Sequence, residues 1–262
     1  MKYGFIGCGN MGSALATALS KSTLDIMLAD HTGDKAHTLA SKLGCSFGNN
    51  TQVVAECDRI FLGVKPQMMA DMLDDIRVGI TIKKPLLITM AAGLEISAIE
   101  EMVGKDIPII RIMPNTPVAI GAGMILYCRN KLVDDTMLAD FLEDMRHCGV
   151  MDCIDEKLID AACSVQGCGP AYMYMFIEAL ADGAVACGVP RDKAIKYAAA
   201  TMSGAAQMVM DSGKHPGALK DDVCSPGGST IMGVKALEDG GFRGTVMNAV
   251  IAATNRNKEL GK

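Results

Sequence analysis

The chain has no run of lysine or arginine able to follow a phosphate backbone, and its 262 residues carry a net charge of -5. Nucleic acid is therefore not an expected partner. No two cysteines form a C-x-x-C pair: all ten (Cys8, Cys45, Cys57, Cys128, Cys148, Cys153, Cys163, Cys168, Cys187 and Cys224) are scattered, mostly within apolar stretches. That is the pattern of buried reduced thiols, not of disulfides or zinc. The four histidines, His31, His37, His147 and His215, lack ligand spacing as well, so no metal is expected. No apolar stretch reaches the roughly 18 uninterrupted residues of a membrane span. The most apolar one, Ala171 to Val189, is interrupted by Glu178 and Asp182. The opening MKYGFIGCG has neither the basic start nor the apolar region of a signal peptide, which points to a cytoplasmic protein. Internal repeats, low-complexity tracts and a Ser/Gly-rich or charged linker are also missing.

What is present is apolar: half of the residues are hydrophobic, enough for one large domain or two modest ones with real cores. As far as Asp155, short apolar runs alternate with helical patterns. The runs are Tyr3 to Ile6, Asp25 to Ala29, Arg59 to Val64, Leu86 to Met90, Ile109 to Met113 and Met124 to Cys128. Strands interleaved with helices predict an α/β fold with a mainly parallel, doubly wound sheet covered on both faces. After Asp155 the alternation stops, and Ala-, Met- and Leu-rich helical segments follow, punctuated by GCGPAY, CGVPRDK, SGKHPG, CSPGGS and EDGGF. The expected division is a dinucleotide-binding domain over 1–160 and an all-helical domain over 161–262, with the boundary between Lys157 and Ala162.

The dinucleotide assignment comes from KYGFIGCGNMGSALATALSKS, which reads as a strand, a turn (Gly7, Cys8, Gly9, Asn10, Met11, Gly12) and an amphipathic helix. In such a G-x-G-x-x-G turn the first glycine permits the tight bend and the second lets the backbone approach a pyrophosphate. The third allows helix and strand to pack closely. The pyrophosphate sits at the positive end of the helix dipole. A second strand ends at Asp30, about 20 residues on, where a carboxylate bonds the ribose 2'-hydroxyl. Asp30 favours NADH over NADPH, because it repels a 2'-phosphate and no arginine follows it in DHTGDK. The other reading makes Asp30 a solvated turn residue, with Thr32 and backbone N–H groups taking the phosphate.

Ligands of doubly wound sheets lie outside the carboxyl ends of the strands. Those ends here are GVKPQ (Gly63 to Gln67), MAAGLE (Met90 to Glu95) and RIMPNTP (Arg111 to Pro117). Small, proline and amide residues there leave backbone groups free to meet a flat ring. Lys65 and Asn115 are the polar side chains best placed for ribose, phosphate or carboxamide. A second glycine-rich turn, DDVCSPGGSTIMGVK, precedes a helix in the last third of the chain. Two readings stand for it: a helix start capped by Ser225 or Ser229, or an anion site made of unpaired N–H groups.

Taken together, GFIGCGNMG, VKP, AAG, RIMPNTP, GPAYMYMFIEALADGAVACGVPR, HPGALKDDVCSPGGSTI and GFRGTVMNAV resemble the pyrroline-5-carboxylate reductase family, in order from Tyr3 to Glu259. The last three blocks are far more specific than the dinucleotide turn. The resemblance implies an N-terminal Rossmann-type doubly wound sheet followed by an all-α C-terminal dimerisation domain. It also implies reduction of the C=N bond of 1-pyrroline-5-carboxylate to L-proline with NADPH or NADH, the last step of proline biosynthesis. Homodimers, often assembled into decamers, are usual in the family.

Carried onto this chain, the resemblance assigns the dinucleotide to Gly7 to Gly12, Asn50, Val64, Lys65, Pro66, Ala92, Gly93 and Asn115. It assigns the substrate to Ser225, Gly227, Gly228, Ser229 and Thr230, with Thr230 nearest the ring nitrogen. The chemistry suits these residues, since hydride transfer between two flat rings asks mainly for positioning. N–H groups of Gly228, Ser229 and Thr230 would take the substrate carboxylate. Thr230, or a water it orients, would serve the nitrogen.

Two positions depart from the family pattern. In VQGCGPAY, Gln166 and Cys168 replace the commoner serines, which bears on packing or substrate affinity. Asp30 stands where small polar residues are usual in NADPH-preferring members. The alternatives are a related Rossmann reductase of another imine or of 3-hydroxy or 2-keto acids, and a non-catalytic dinucleotide-binding regulator. The keto-acid reading needs a lysine or histidine acid in the helical half, where His215, Lys196, Lys220 and Lys235 are the candidates.

Overall fold

A computed structural model describes residues 1–260; positions 261 and 262 of the expected second domain lie outside the described residues. The chain forms two compact units: Met1–Cys168 joined by the end of the chain from Ala253, and Gly169–Ala252.

The first unit is built on an eight-stranded sheet in the order β3-β2-β1-β4-β5-β6-β7-β8. The strands are β1 (Tyr3–Ile6), β2 (Ile26–Ala29), β3 (Ser46–Phe47), β4 (Arg59–Leu62), β5 (Leu86–Thr89), β6 (Ile109–Met113), β7 (Gly123–Arg129) and β8 (Gly149–Cys153). Strands β1 to β6 run parallel; β7 is antiparallel to β6 and parallel to β8. Alternating side chains serve two cores, as the pleat demands. Ile6, Ile60, Leu62, Leu87 and Ile109 pack with α3 (Asn50–Glu56), α4 (Met69–Lys83) and α5 (Ile96–Val103). Phe5, Leu28, Phe61, Ile88 and Ile110 pack with α1 (Asn10–Leu19), α2 (Gly33–Leu43) and α6 (Asp135–Asp144).

All six apolar runs are strands. Two further strands were not expected, and both are poorly buried. β3 is two exposed residues, and β8 lies at the sheet edge with exposed Val150 and Cys153. Neither carries the buried apolar run that marks a central parallel strand.

Two buried arginines tie helices to the sheet. Arg59 of β4 donates to the Tyr3 hydroxyl (2.6 Å) and to Asp144 of α6 (2.8 Å). Arg111 of β6, 1% exposed, reaches Glu156 (3.1 Å) and Asp160 (3.3 Å). Asp160 lies on α7 (Ile159–Gln166), which therefore belongs to the first unit although its pattern is purely helical. The last turns of α12 (Phe242–Leu260) join the same unit: Asn257 donates to the Asp160 carbonyl (3.0 Å) and Thr254 to the Ser164 hydroxyl (2.9 Å).

The second unit holds α8 (Gly169–Ala186), α9 (Arg191–Ser212), α10 (Pro216–Asp222), α11 (Ser229–Asp239) and the start of α12. Its helices bury little: Gly169 and Ala181 on α8, Ala194 and Ala198 on α9, and none on α10 or α11. Tyr174, Met175, Met210, Met232 and Met247 are exposed. Apolar surface on this scale marks an association face.

Candidate active site

The first turn lies between β1 and α1. Gly7 has φ +104, and a Cβ there would stand 2.6 Å from the Gly63 backbone at the end of β4. A side chain would fail on both counts. At Gly12 a Cβ would meet the Gly7 carbonyl oxygen at 2.2 Å, so α1 rests directly on the turn. Among the described residues nothing lies within 4 Å of a Cβ built on Gly9, which is exposed. Bend, open approach and close packing thus occupy the three glycines in the order a pyrophosphate cradle requires. Asn10 is the exposed first residue of α1, Met11 is half-buried, and burial, with the Asp30 charge, pushes the Cys8 thiol up to about 12.

Asp30, at the end of β2, does more than wait for a ribose. Its Oδ2 accepts the Cys8 N–H (2.8 Å), and its Oδ1 accepts both the N–H (3.0 Å) and the hydroxyl (2.8 Å) of Thr32. It is thus a brace of the glycine turn. Partial burial pushes this carboxyl up, but the Cys8 and Thr32 hydrogen bonds, with the Lys35 charge, outweigh it and hold the group below its ordinary value. A depressed carboxyl stabilises the fold above its unfolded value, and the contribution is lost as pH falls through the lowered one. The difference in unfolding temperature between the protein and its Asp30→Asn variant should accordingly stay constant from neutral pH to pH ~5 and shrink below pH ~4. Thermal melts across that range check it.

The other expected dinucleotide residues also follow the carboxyl ends of parallel strands, at one edge of the sheet. Asn50 opens α3 behind Asn49, whose side chain accepts the Gln52 N–H in a capping box. Val64 is half-buried, and Lys65 and Pro66 are exposed at the start of a short 3-10 turn. Ala92 is exposed and Gly93 half-buried after β5. A groove of about 410 Å³ brings Gly7, Asn50 and Val64 together with His31, Asp71 and Asp75. It adjoins one of about 810 Å³ lined by Asp30, His31, Asp34, His37, Phe47 and Asp75, among others. The smaller lies where β1 and β4 meet and the strand order reverses, the ligand position of this fold, and the larger extends from it past the ends of β2 and β3.

Asn115 is differently employed. It is buried, its Oδ1 accepts the Met124 N–H (2.9 Å) and its Nδ2 donates to the Gln166 carbonyl (2.9 Å). Gln166 in turn donates from Nε2 to the Met113 carbonyl (3.1 Å). The amide therefore fastens the end of β6 to β7 and α7. Sequence reasoning missed His31, Asp71 and Asp75. Asp71 and Asp75 share a face of α4 by their i, i+4 spacing, but no local signal turns that face toward the groove.

The second glycine turn, in the helical unit, corrects two expectations. The Gly228 N–H is not free: it donates to the Ser225 carbonyl (3.0 Å), closing a turn with Pro226 second and Gly227, φ +69, third. That is the type II pattern, which needs glycine at its third position. Nor does either serine cap the helix. Gly228 is the N-cap of α11, with no side-chain hydrogen bond. Among the described residues nothing accepts from the Ser229 and Thr230 N–H groups, and Ser225, Ser229 and Thr230 are exposed.

Comparison with known proteins decides what these two turns belong to. A model described as pyrroline-5-carboxylate reductase dimerisation matches residues 156–260, and one described as NADP oxidoreductase, coenzyme F420-dependent, matches 2–93. The chain is 41% identical to pyrroline-5-carboxylate reductase of Escherichia coli K12 over 266 aligned residues, covering 100% of this chain and 98% of that protein. It belongs to the pyrroline-5-carboxylate reductase family. Solved structures agree: Plasmodium falciparum pyrroline carboxylate reductase with NADP bound has TM-score 0.89 and 36% identity, covering 100% of this chain and 98% of that one. The Coxiella burnetii pyrroline-5-carboxylate reductase has TM-score 0.91 and 31% identity, with the same coverage.

As a member of this family, the chain has a Rossmann-type unit and a helical unit that matches the family's dimerisation domain. The lysine or histidine acid of a keto-acid reductase finds little support. His215 spends Nδ1 as acceptor for the Gly217 N–H (3.0 Å), Lys220 pairs with Asp221 and Lys235 with Asp239. Among the described residues no group of three potential metal ligands occurs, and no helix is long and apolar enough to cross a membrane.

Proposed function

We propose that this chain reduces the C=N bond of 1-pyrroline-5-carboxylate to L-proline with NADPH or NADH. The observation that carries the reading is the start of α11, where the exposed, uncapped N–H groups of Ser229 and Thr230 stand beside the Thr230 hydroxyl in a chain of this family. Two N–H donors at the positive end of a helix bind a carboxylate without a cation. The Ser225–Gly228 turn holds that start rigidly in place, its own hydrogen bond satisfied internally. The Thr230 hydroxyl donates to the ring nitrogen, directly or through a water it orients.

The cradle fits a dinucleotide, because the space at Gly9 is open and the Gly7 bend is fixed by packing on Gly63. Gly7 to Gly12 would hold the pyrophosphate, with Asp30, Asn50, Val64, Lys65, Pro66, Ala92, Gly93 and the Asn115 turn shaping the rest. When bound, the reduced dinucleotide supplies the hydride.

The working form is expected to be a cytoplasmic homodimer, with a decamer as its further assembly, and no nucleic acid as partner. Oxidation of NADH and NADPH by purified protein, followed with and without 1-pyrroline-5-carboxylate, tests the activity. Turnover should require the imine; none with either dinucleotide refutes it.

A further inference from the structure

The two adjoining grooves, one at the β1–β4 reversal and one past the ends of β2 and β3, carry an unbalanced charge. Asp30 and Asp34 face one of them, Asp71 the other, and Asp75 lines both. Among the described residues no lysine or arginine lines either groove; His31 and His37 are their basic side chains. Lys35, whose charge reaches Asp30, lines with Cys8, Ser13 and Lys42 a third groove of about 360 Å³ that shares Asp34 with the larger one.

We propose that this arrangement makes the dinucleotide groove selective for NADH, with Asp30, Asp71 and Asp75 acting together to exclude the 2'-phosphate of NADPH. The inference rests on reading the groove as the dinucleotide site, and deepens it.

Hydrogen bonding at Asp30 sets the sign. Its oxygens already accept three protein donors, from Cys8 N–H and from Thr32 N–H and hydroxyl, which fix the carboxylate against the turn. A carboxylate has about four acceptor positions, so room for one further donor remains. A ribose 2'-hydroxyl supplies a donor. A phosphate ester supplies only acceptors and about two negative charges, and the held carboxylate cannot swing aside without releasing Cys8 and Thr32. From α4, the exposed Asp71 and Asp75 add two charges of the same sign, one helical turn apart.

Titration calorimetry of the full-length protein with NADH and with NADPH, in the absence of substrate, reads the claim without catalysis. NADH should bind more tightly by about tenfold or more at low salt. Because like-charge repulsion between exposed groups is screened, the ratio should narrow as ionic strength rises. Asp30→Asn keeps an acceptor for the Cys8 N–H and removes the charge; it should narrow the ratio by about tenfold. Asp71→Asn and Asp75→Asn, on an exposed helix face that tolerates the change, should each narrow it by about threefold. Equal or tighter binding of NADPH by the unaltered protein overturns the proposal, as does a ratio indifferent to salt and to all three substitutions. Selective NADH binding without turnover of the imine would uphold the selectivity and refute the proposed reaction. Binding of neither dinucleotide would refute the groove itself.

Discussion

Thr230→Ala is expected to lower kcat by about 100-fold, within the range for removing a positioned proton donor, while dinucleotide affinity stays nearly unchanged. The separation follows from where the residue sits. Thr230 is the second residue of α11 in the helical unit, whereas the glycine turn, Asp30 and Asn50 belong to the sheet unit. Stability should also hold, because the N-cap is Gly228 and no side-chain cap is lost with the threonine hydroxyl. Thr230→Ser should recover most of the rate, since it restores the hydroxyl and removes only a methyl group. Steady-state kinetics with calorimetric dinucleotide binding separates the two effects. A collapse of dinucleotide affinity in Thr230→Ala would contradict the division of labour between the turns.

Gly12→Ala should cost as much from the other side, weakening dinucleotide binding by about 100-fold, the scale set by a displacement of about 1 Å at a positioned site. The added Cβ would lie 2.2 Å from the Gly7 carbonyl oxygen and 3.3 Å from the Gly7 carbonyl carbon. Both neighbours are backbone, so the clash is relieved only by moving α1 away from the turn. Such overpacking also costs about 1–3 kcal/mol of stability. Calorimetry and thermal unfolding measure both. Unchanged dinucleotide affinity would show that the turn does not hold the pyrophosphate.

The sheet was legible where burial was symmetrical. β1, β2, β4, β5 and β6 are buried along their whole length, and a strand covered on both faces reads as a near-continuous apolar run, with Arg59, Thr89 and Arg111 the buried polar exceptions. β3 and β8 lack that signature because the sheet ends at them. The glycine turn was legible because bend, approach and packing are properties of one residue type at fixed spacing. The start of α11 was only half legible. Serine at a helix start suggests a cap, but the Pro226–Gly227 turn takes the Gly228 N–H for the Ser225 carbonyl and leaves Gly228 as the cap residue. Asp71 and Asp75 were invisible as groove residues, since their position depends on how α4 packs on the sheet. Asn115 was flagged as a polar strand-end residue; its bonds to Met124 and Gln166 depend on β7 and α7, which local sequence does not bring to it.

The most direct test of the central claim is the fate of the hydride. With dinucleotide deuterated on the transferred face of nicotinamide C4 and 1-pyrroline-5-carboxylate as substrate, the product should be L-proline carrying one deuterium on the ring CH2 next to nitrogen. Unlabelled proline, or dinucleotide oxidation without proline, would contradict the account.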